Sequence, residues 1–235
     1  MLVIDHLTKI YKGTKKGVRD ITIHVEPGDI YAFIGHNGAG KTTLLKAVTG
    51  IHSYDSGEVR IDGLQLREEP DKVKRRIAYI PDNPDIYDFL TGIQYLQLIA
   101  DVFGVSAADR EARISDYAER FEITASLGDL ISSYSHGMKQ KLVLISALLH
   151  SPKLLIMDEP FVGLDPKAAF VLKELMREMT AGGGAIFFST HVLEVAEKLC
   201  NKVAIIKDGR LIADGAMDEV VKEGASLEEL FMETV

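Results

Sequence analysis

"GHNGAGKT", Gly35 to Thr42, is the stretch on which the fold turns. It has the form Gly, four residues, Gly, Lys, Thr. It lies between a short apolar run, "GDIYAFIG", and a segment of helical period, "KTTLLKAVTG", closed by Gly50. A strand, a glycine-rich turn and a helix in that order make a cradle for phosphate. The glycines let backbone N–H groups converge on phosphate oxygens, and the first turn of the helix adds unpaired donors and a positive dipole end. Lys41 is then expected to reach the β and γ phosphates of a nucleotide, and the Thr42 hydroxyl to bind Mg²⁺.

Outward from this stretch, the sequence alternates in period. "LVIDHLTKIY" and "VRDITIHV" read as strands joined by "KGTKKG", a hairpin turn. "GEVRIDG" and "RRIAYIP" are two further strands separated by an acidic, lysine-rich loop. From Thr91 to about Leu149 the pattern is helical, with Ile93, Leu96, Ile99, Val102 and Phe103 spaced for one face. Strands and helices then alternate: "KLLIMD", a helix from Lys167, "GAIFFS", a helix from Val192, and the closing pair "KVAIIKDG" and "RLIADG". The tail "GASLEELFMETV" reads as a short amphipathic helix. Alternating strands and helices imply a parallel sheet covered on both faces. The expected fold is therefore α/β: a P-loop NTPase core with a mostly parallel sheet, an N-terminal antiparallel β lobe and an inserted helical subdomain. Residues 1–235 are read as one domain, with core and β lobe in 1–87 and 151–235 and the helical insertion at about 88–150.

Composition narrows the function. At 235 residues and 46% hydrophobic positions, the chain is long enough for one well-cored unit or a core with an inserted lobe. A net charge of −8 argues against broad phosphate neutralisation, so nucleic acid is not an expected partner. No window approaches the apolar run of about 20 residues that crosses a bilayer, and "MLVIDHLTKIYK" has acids and lysines where a signal peptide is apolar. The expected place is the cytosol unless a partner anchors the chain. Cys200, the only cysteine, excludes an internal disulfide and reads as a small apolar residue on the helix around Leu193 to Leu199.

Two further places carry chemistry. "LLIMDE", Leu154 to Glu159, is an apolar strand ending in adjacent carboxylates, where a parallel sheet presents its ligand edge. Asp158 is placed to hold Mg²⁺ directly or through water, and Glu159 to polarise an attacking water as general base. An ordinary acidic turn would use one such carboxylate, and the second favours hydrolysis. His191 in "FFSTH" closes another strand, from which its ring can reach a γ phosphate at the same edge.

These pieces, in this order, resemble the ATP-binding subunit of an ABC transporter. "GHNGAGKTT" is similar to its Walker A loop, which puts Gly35, His36, Asn37, Gly38, Ala39, Gly40, Lys41, Thr42 and Thr43 at the phosphates. "YSHGMKQK", residues 134 to 141, is similar to its signature motif, "LLIMDEP" to its Walker B strand, "GLD" at 163 to 165 to its D-loop, and "STH" to its switch histidine. Tyr11 in "KIYKG" matches the aromatic on which that family stacks adenine. The resemblance implies that two such subunits, identical or paralogous, close head to tail, so that Ser135 and Gly137 contact the γ phosphate held by the other copy. A serine-glycine turn opening a helix offers a hydroxyl, free N–H groups and a positive dipole end. A plain serine N-cap on a solvated helix would have the same local geometry. The resemblance further implies ATP and Mg²⁺ as cofactors, membrane-spanning transporter subunits as partners, and a peripheral place on the cytoplasmic side of the cell membrane.

The sequence departs from the family pattern in two motifs. Tyr134, His136 and Met138 replace the first, third and fifth residues of the usual Leu-Ser-Gly-Gly-Gln, a variant similar to the ABC-2 and bacitracin-export kind and to the Ecs-type branch. The family's Q-loop glutamine, a metal-site residue, aligns with Asp82, which is shorter and adds negative charge beside a polyanion. Slow or partner-dependent turnover is the expectation. Ile86, Tyr87 and Phe89 follow, where the family's membrane subunits dock, or form the seam of the helical lobe. Other readings stay open: a regulatory subunit that binds ATP but hardly hydrolyses it, or a soluble ABC ATPase without transport. A phosphate-loop kinase or GTPase would leave the signature turn and "GLD" unexplained.

Overall fold

The apolar runs become strands buried on both faces. The computed structural model describes residues 1–14, 16–221 and 226–234. β1 (Leu2–Ile10) and β2 (Gly17–Val25) form the expected hairpin, and β3 (Ile30–Ile34) leads into α1 (Lys41–Val48). β4 (Ser56–Ile61), β5 (Leu64–Gln65), α2 (Pro70–Lys74) and β6 (Ile77–Ile80) follow. The helical stretch comprises α3 (Gly92–Phe103), α4 (Ala107–Arg120), two single 3₁₀ turns and α5 (His136–Leu148). Then come β7 (Leu154–Asp158), α6 (Pro166–Ala181), β8 (Ala185–Thr190), α7 (Leu193–Leu199), β9 (Lys202–Lys207), β10 (Arg210–Ala216), α8 (Met217–Val220) and α9 (Leu227–Thr234).

The strands make a four-stranded sheet of order β2-β1-β4-β5 and a six-stranded sheet of order β10-β9-β3-β8-β7-β6. The first is antiparallel throughout, and the second is parallel except for β10. Alternate side chains of the six-stranded sheet enter different cores, as the two-residue period of a strand requires. Ile30, Ala32 and Ile34 of β3 share one core with Leu96, Ile114, Leu142 and Leu172 of the helices. Tyr31 and Phe33 share the other with Leu44 and Leu45 of α1 and with Leu2, Ile4 and Ile23 of the antiparallel sheet. A sheet covered on both faces needs no polar alternation, which is why its strands read as continuous apolar runs. The carboxyl ends of the parallel strands gather the loops after β3, β6, β7 and β8 at one edge.

Local caps set the helical stretch. α3 opens with a capping box: Gln94 N donates to Thr91 Oγ1 at 3.3 Å, and Thr91 N donates to Gln94 Oε1 at 2.9 Å. The structure corrects two expectations. The lysine-rich loop holds β5 and α2, whose Pro70 at the first turn suits a helix start. On α3, Leu96 is fully buried, but Val102 is 62% exposed, and Tyr95 and Ala100 complete the buried face instead. Cys200 sits buried at the end of α7, and burial raises its thiol pKa.

At the seam between sheet and helical stretch, the His150 ring stacks on Phe103 with centroids 3.8 Å apart, and its Nε2 lies 3.0 Å from the Ile77 carbonyl. Burial, the largest cause, lowers its pKa from the ordinary 6.5 despite that hydrogen bond. A folded-state pKa below the unfolded value gives stability that is fully present above about pH 6.5 and declines as pH falls through the folded value. Melting temperature is therefore expected to drop between pH 7 and pH 5, and by less in His150→Gln. An equal drop in both proteins would assign the acid sensitivity elsewhere.

Candidate active site

Gly35 to Gly40 form the loop between β3 and α1. Gly38 and Gly40 have φ of 84° and 117°, the left-handed region that glycine reaches without strain. A Cβ on Gly35 would lie 2.6 Å from the Ile206 carbonyl oxygen, so the loop is seated against β9. The N-cap of α1 is Gly40, and no side chain caps it. By contrast, Ser135 accepts from Met138 N at 3.3 Å to cap α5, and Asp165 accepts from Ala168 N at 2.8 Å to cap α6. The uncapped N–H groups of α1 are thus left for an anion.

The polar side chains of the site interlock. Lys41 is 7% exposed, and its Nζ donates to the Gly35 carbonyl at 2.7 Å. The same Nζ stands 3.3 Å from Glu159 Oε1, at ion-pair distance but without hydrogen-bond geometry. Thr42 Oγ1 donates to Asp158 Oδ2 at 2.6 Å. Glu159 has φ of 50°, and its N–H donates to the Ser189 carbonyl at 3.1 Å. That backbone kink turns the carboxylate toward His191, whose N–H donates to Glu159 Oε2 at 3.2 Å and whose Nδ1 lies 2.9 Å from it.

A cleft of about 260 Å³ joins most of these groups. Tyr11, His36, Asn37, Gly38, Gly40, Lys41, Thr42, Thr43, Asp82, Asp158 and Glu159 line it, together with Lys16 and Gly17. Gly35 and Ala39 back the loop, and His191 reaches the cleft through Glu159. Tyr11 also holds His52, with its hydroxyl 3.1 Å from Nδ1. Ser135 and Gly137 are not among the residues lining the cleft; instead, Gly137 lies against the loop of residues 163 to 165, where a Cβ on it would be 2.9 Å from the Gly163 carbonyl oxygen. Lys141 closes the same contact through a 2.7 Å ion pair with Asp165, whose carboxyl pKa it lowers.

Sequence reasoning missed Ser189. Its hydroxyl donates to Asp158 Oδ1 and accepts from Glu159 N at 3.2 Å, fixing the Asp158 carboxylate and the Glu159 backbone. The one available signal was "FFST" running into His191, but the pairing of Asp158 with Ser189 is a register between separate strands.

The chemistry of these donors fits a nucleotide with Mg²⁺. Glycine backbone and a buried lysine suit phosphates, while Thr42, Asp158 and Asp82 offer hard oxygen donors. Among the described residues no cluster of three or more His, Cys, Asp or Glu makes a metal cage. Mg²⁺ takes one or two carboxylates and completes its shell with phosphates and water.

Fold and cleft together define a P-loop NTPase of the ATP-binding-cassette class. A family model described as "ABC transporter" matches residues 18–162, and the chain belongs to that family as an ATP-binding subunit. A model described as "AAA domain, putative AbiEii toxin, Type IV TA system" matches residues 130–197 only. Similar proteins include the ABC-type transporter ATP-binding protein EcsA of Bacillus subtilis (strain 168), 34% identical over 92% of this chain and 89% of that one. The Nod factor export ATP-binding protein I of Paraburkholderia xenovorans (strain LB400) is 34% identical, over 97% of this chain and 75% of that protein. A solved structure of an ATP-binding subunit of an ABC transporter superposes with TM-score 0.95 and 37% identity, over 100% of this chain and 99% of that one. A dimeric, post-hydrolysis ATP-binding cassette bound to ADP and Pi shares the fold, with TM-score 0.84, 21% identity and coverage of 92% and 99%.

Proposed function

We propose that this chain is a single Mg²⁺-dependent ABC ATPase domain that powers a membrane exporter. The observation that carries the reading is Glu159. Its carboxylate is held between Lys41 and His191, with Asp158 beside it and the phosphate loop in the same cleft. Thr42, Asp158 and Asp82 would hold Mg²⁺, which supplies charge neutralisation at the β and γ phosphates. Lys41 binds the phosphates, Tyr11 packs on adenine, Glu159 orients water in line and accepts its proton, and His191 positions Glu159 and meets the γ phosphate.

Ser135 and Gly137 serve the second copy. Ser135 Oγ accepts from Met138 N, which leaves its O–H free to donate to a phosphate. Two copies, or one copy and a paralogue, close on two ATP molecules and part after hydrolysis. Membrane-spanning subunits convert that motion into transport. Ile86 lines an apolar groove with Ile51, Tyr95 and Ile99, the exposed Tyr87 and Phe89 follow it in the chain with ring centroids 5.7 Å apart, and an apolar segment of the membrane subunit fits there. Among the described residues no helix is long and apolar enough to cross a membrane. The similarity to transporter ATP-binding subunits supports a peripheral place on the cytoplasmic face. The resemblance to exporter subunits supports the direction.

Purified protein is expected to bind ATP with Mg²⁺ and release phosphate; failure to bind would refute the reading. Asp82, exposed at the rim of the cleft, favours slow or partner-gated turnover. Asp82→Gln is accordingly expected to raise kcat and to lower the Mg²⁺ concentration needed for half-maximal rate. An unchanged rate and Mg²⁺ profile would remove Asp82 from the metal site.

A further inference from the structure

The rings of His36 and Phe231 meet with centroids 4.8 Å apart and planes at 62°. His36 is the second residue of the phosphate loop and lines the cleft. Phe231 belongs to α9, is 7% exposed, and shares the helical-side core with Leu227, which is fully buried. α9 also packs against α7, where Glu197 Oε2 accepts from Leu227 N at 3.3 Å. α7 starts two residues after His191. One short helix therefore touches the phosphate loop and is anchored on the helix that follows the switch histidine.

We propose that Phe231 is a positioning residue that holds the phosphate loop in its nucleotide-binding form through His36, a role resting on the reading that the cleft binds nucleotide. The loop contains glycine at 35, 38 and 40, so ordering it on binding costs conformational entropy. His36 is itself exposed, and Phe231 gives it a fixed edge-to-face partner from behind the loop. A loop already held in place loses less freedom when phosphate arrives, and affinity rises. Reciprocity follows: a nucleotide that favours the held loop must favour the docked α9 by the same factor.

The test uses the full chain and MgADP, with three substitutions. Phe231→Leu keeps an apolar side chain in the core but removes the ring pair, and it is expected to raise the Kd for MgADP about two- to tenfold, the worth of an aromatic pair. KM for ATP should rise by the same factor with kcat unchanged, a split that general loosening would not give. In a His36→Ala background the Phe231 change should add nothing, since the two act through one contact. Met232→Ala, on the exposed side of α9, should behave as wild type. Saturating MgADP should slow amide exchange in residues 227–234 of the wild type. If Phe231→Leu binds MgADP like the wild type, or if exchange in α9 ignores the nucleotide, the proposal is overturned while the nucleotide site stands. If the wild type itself binds no MgADP, the reading of the cleft falls and takes the proposal with it.

Discussion

Glu159→Gln is expected to leave ATP bound and almost unhydrolysed, with turnover lower by roughly 10²- to 10⁴-fold, the range a positioned general base supplies. The substitution is nearly isosteric, and the backbone that places residue 159 is held independently of its side chain, by the N–H donated to the Ser189 carbonyl and hydroxyl. What disappears is the proton acceptor and its charge. Binding should persist or tighten, because Lys41 no longer stands 3.3 Å from a competing carboxylate. Phosphate release and equilibrium nucleotide titration, measured on the same preparation, separate the two effects. Wild-type turnover in this variant would mean that another group takes the proton.

Lys41→Ala has the second large effect, on binding. The ammonium is buried and is satisfied by one carbonyl, with one carboxylate at ion-pair distance. A buried charge with so few partners has room for a further anionic one, and in the proposed function the phosphates fill that role. Truncating one member of a buried charge pair costs about 2–5 kcal/mol, which corresponds to a fall in ATP affinity of roughly 30- to several-thousand-fold. The nucleotide-free protein should also melt lower, because Glu159 Oε1, already without a hydrogen bond, loses its nearest cation. Undiminished affinity would show that phosphate binds away from this loop.

Much of this site was legible because its signals are local. "GHNGAGKT" contains its own strand exit, turn and helix entry, and "LLIMDE" places two carboxylates at a strand end that must face the ligand edge. The two-sided sheet was legible from apolar runs without alternation. What escaped depends on register and docking across long stretches of chain. Ser189 faces Asp158 only because β7 and β8 pair in one alignment out of several. The amphipathic tail could be read as a helix, but nothing in "LEELFMET" says that Phe231 meets His36. Val102 shows the limit of periodicity: its spacing suits the α3 face, yet the neighbouring elements cover Tyr95 and Ala100 instead. The signature turn illustrates a different limit, since Ser135 caps its own helix as any serine would, and the wider role proposed for it depends on a second copy.

That role is the central claim, and sedimentation tests it most directly. Glu159→Gln with ATP and Mg²⁺ is predicted to run as a dimer and to return to monomer when nucleotide is withdrawn, whereas Glu159→Gln combined with Ser135→Phe should stay monomeric while binding ATP with undiminished stoichiometry. A dimer that forms regardless of residue 135, or ATP-loaded Glu159→Gln that remains a monomer, would contradict a site completed in trans.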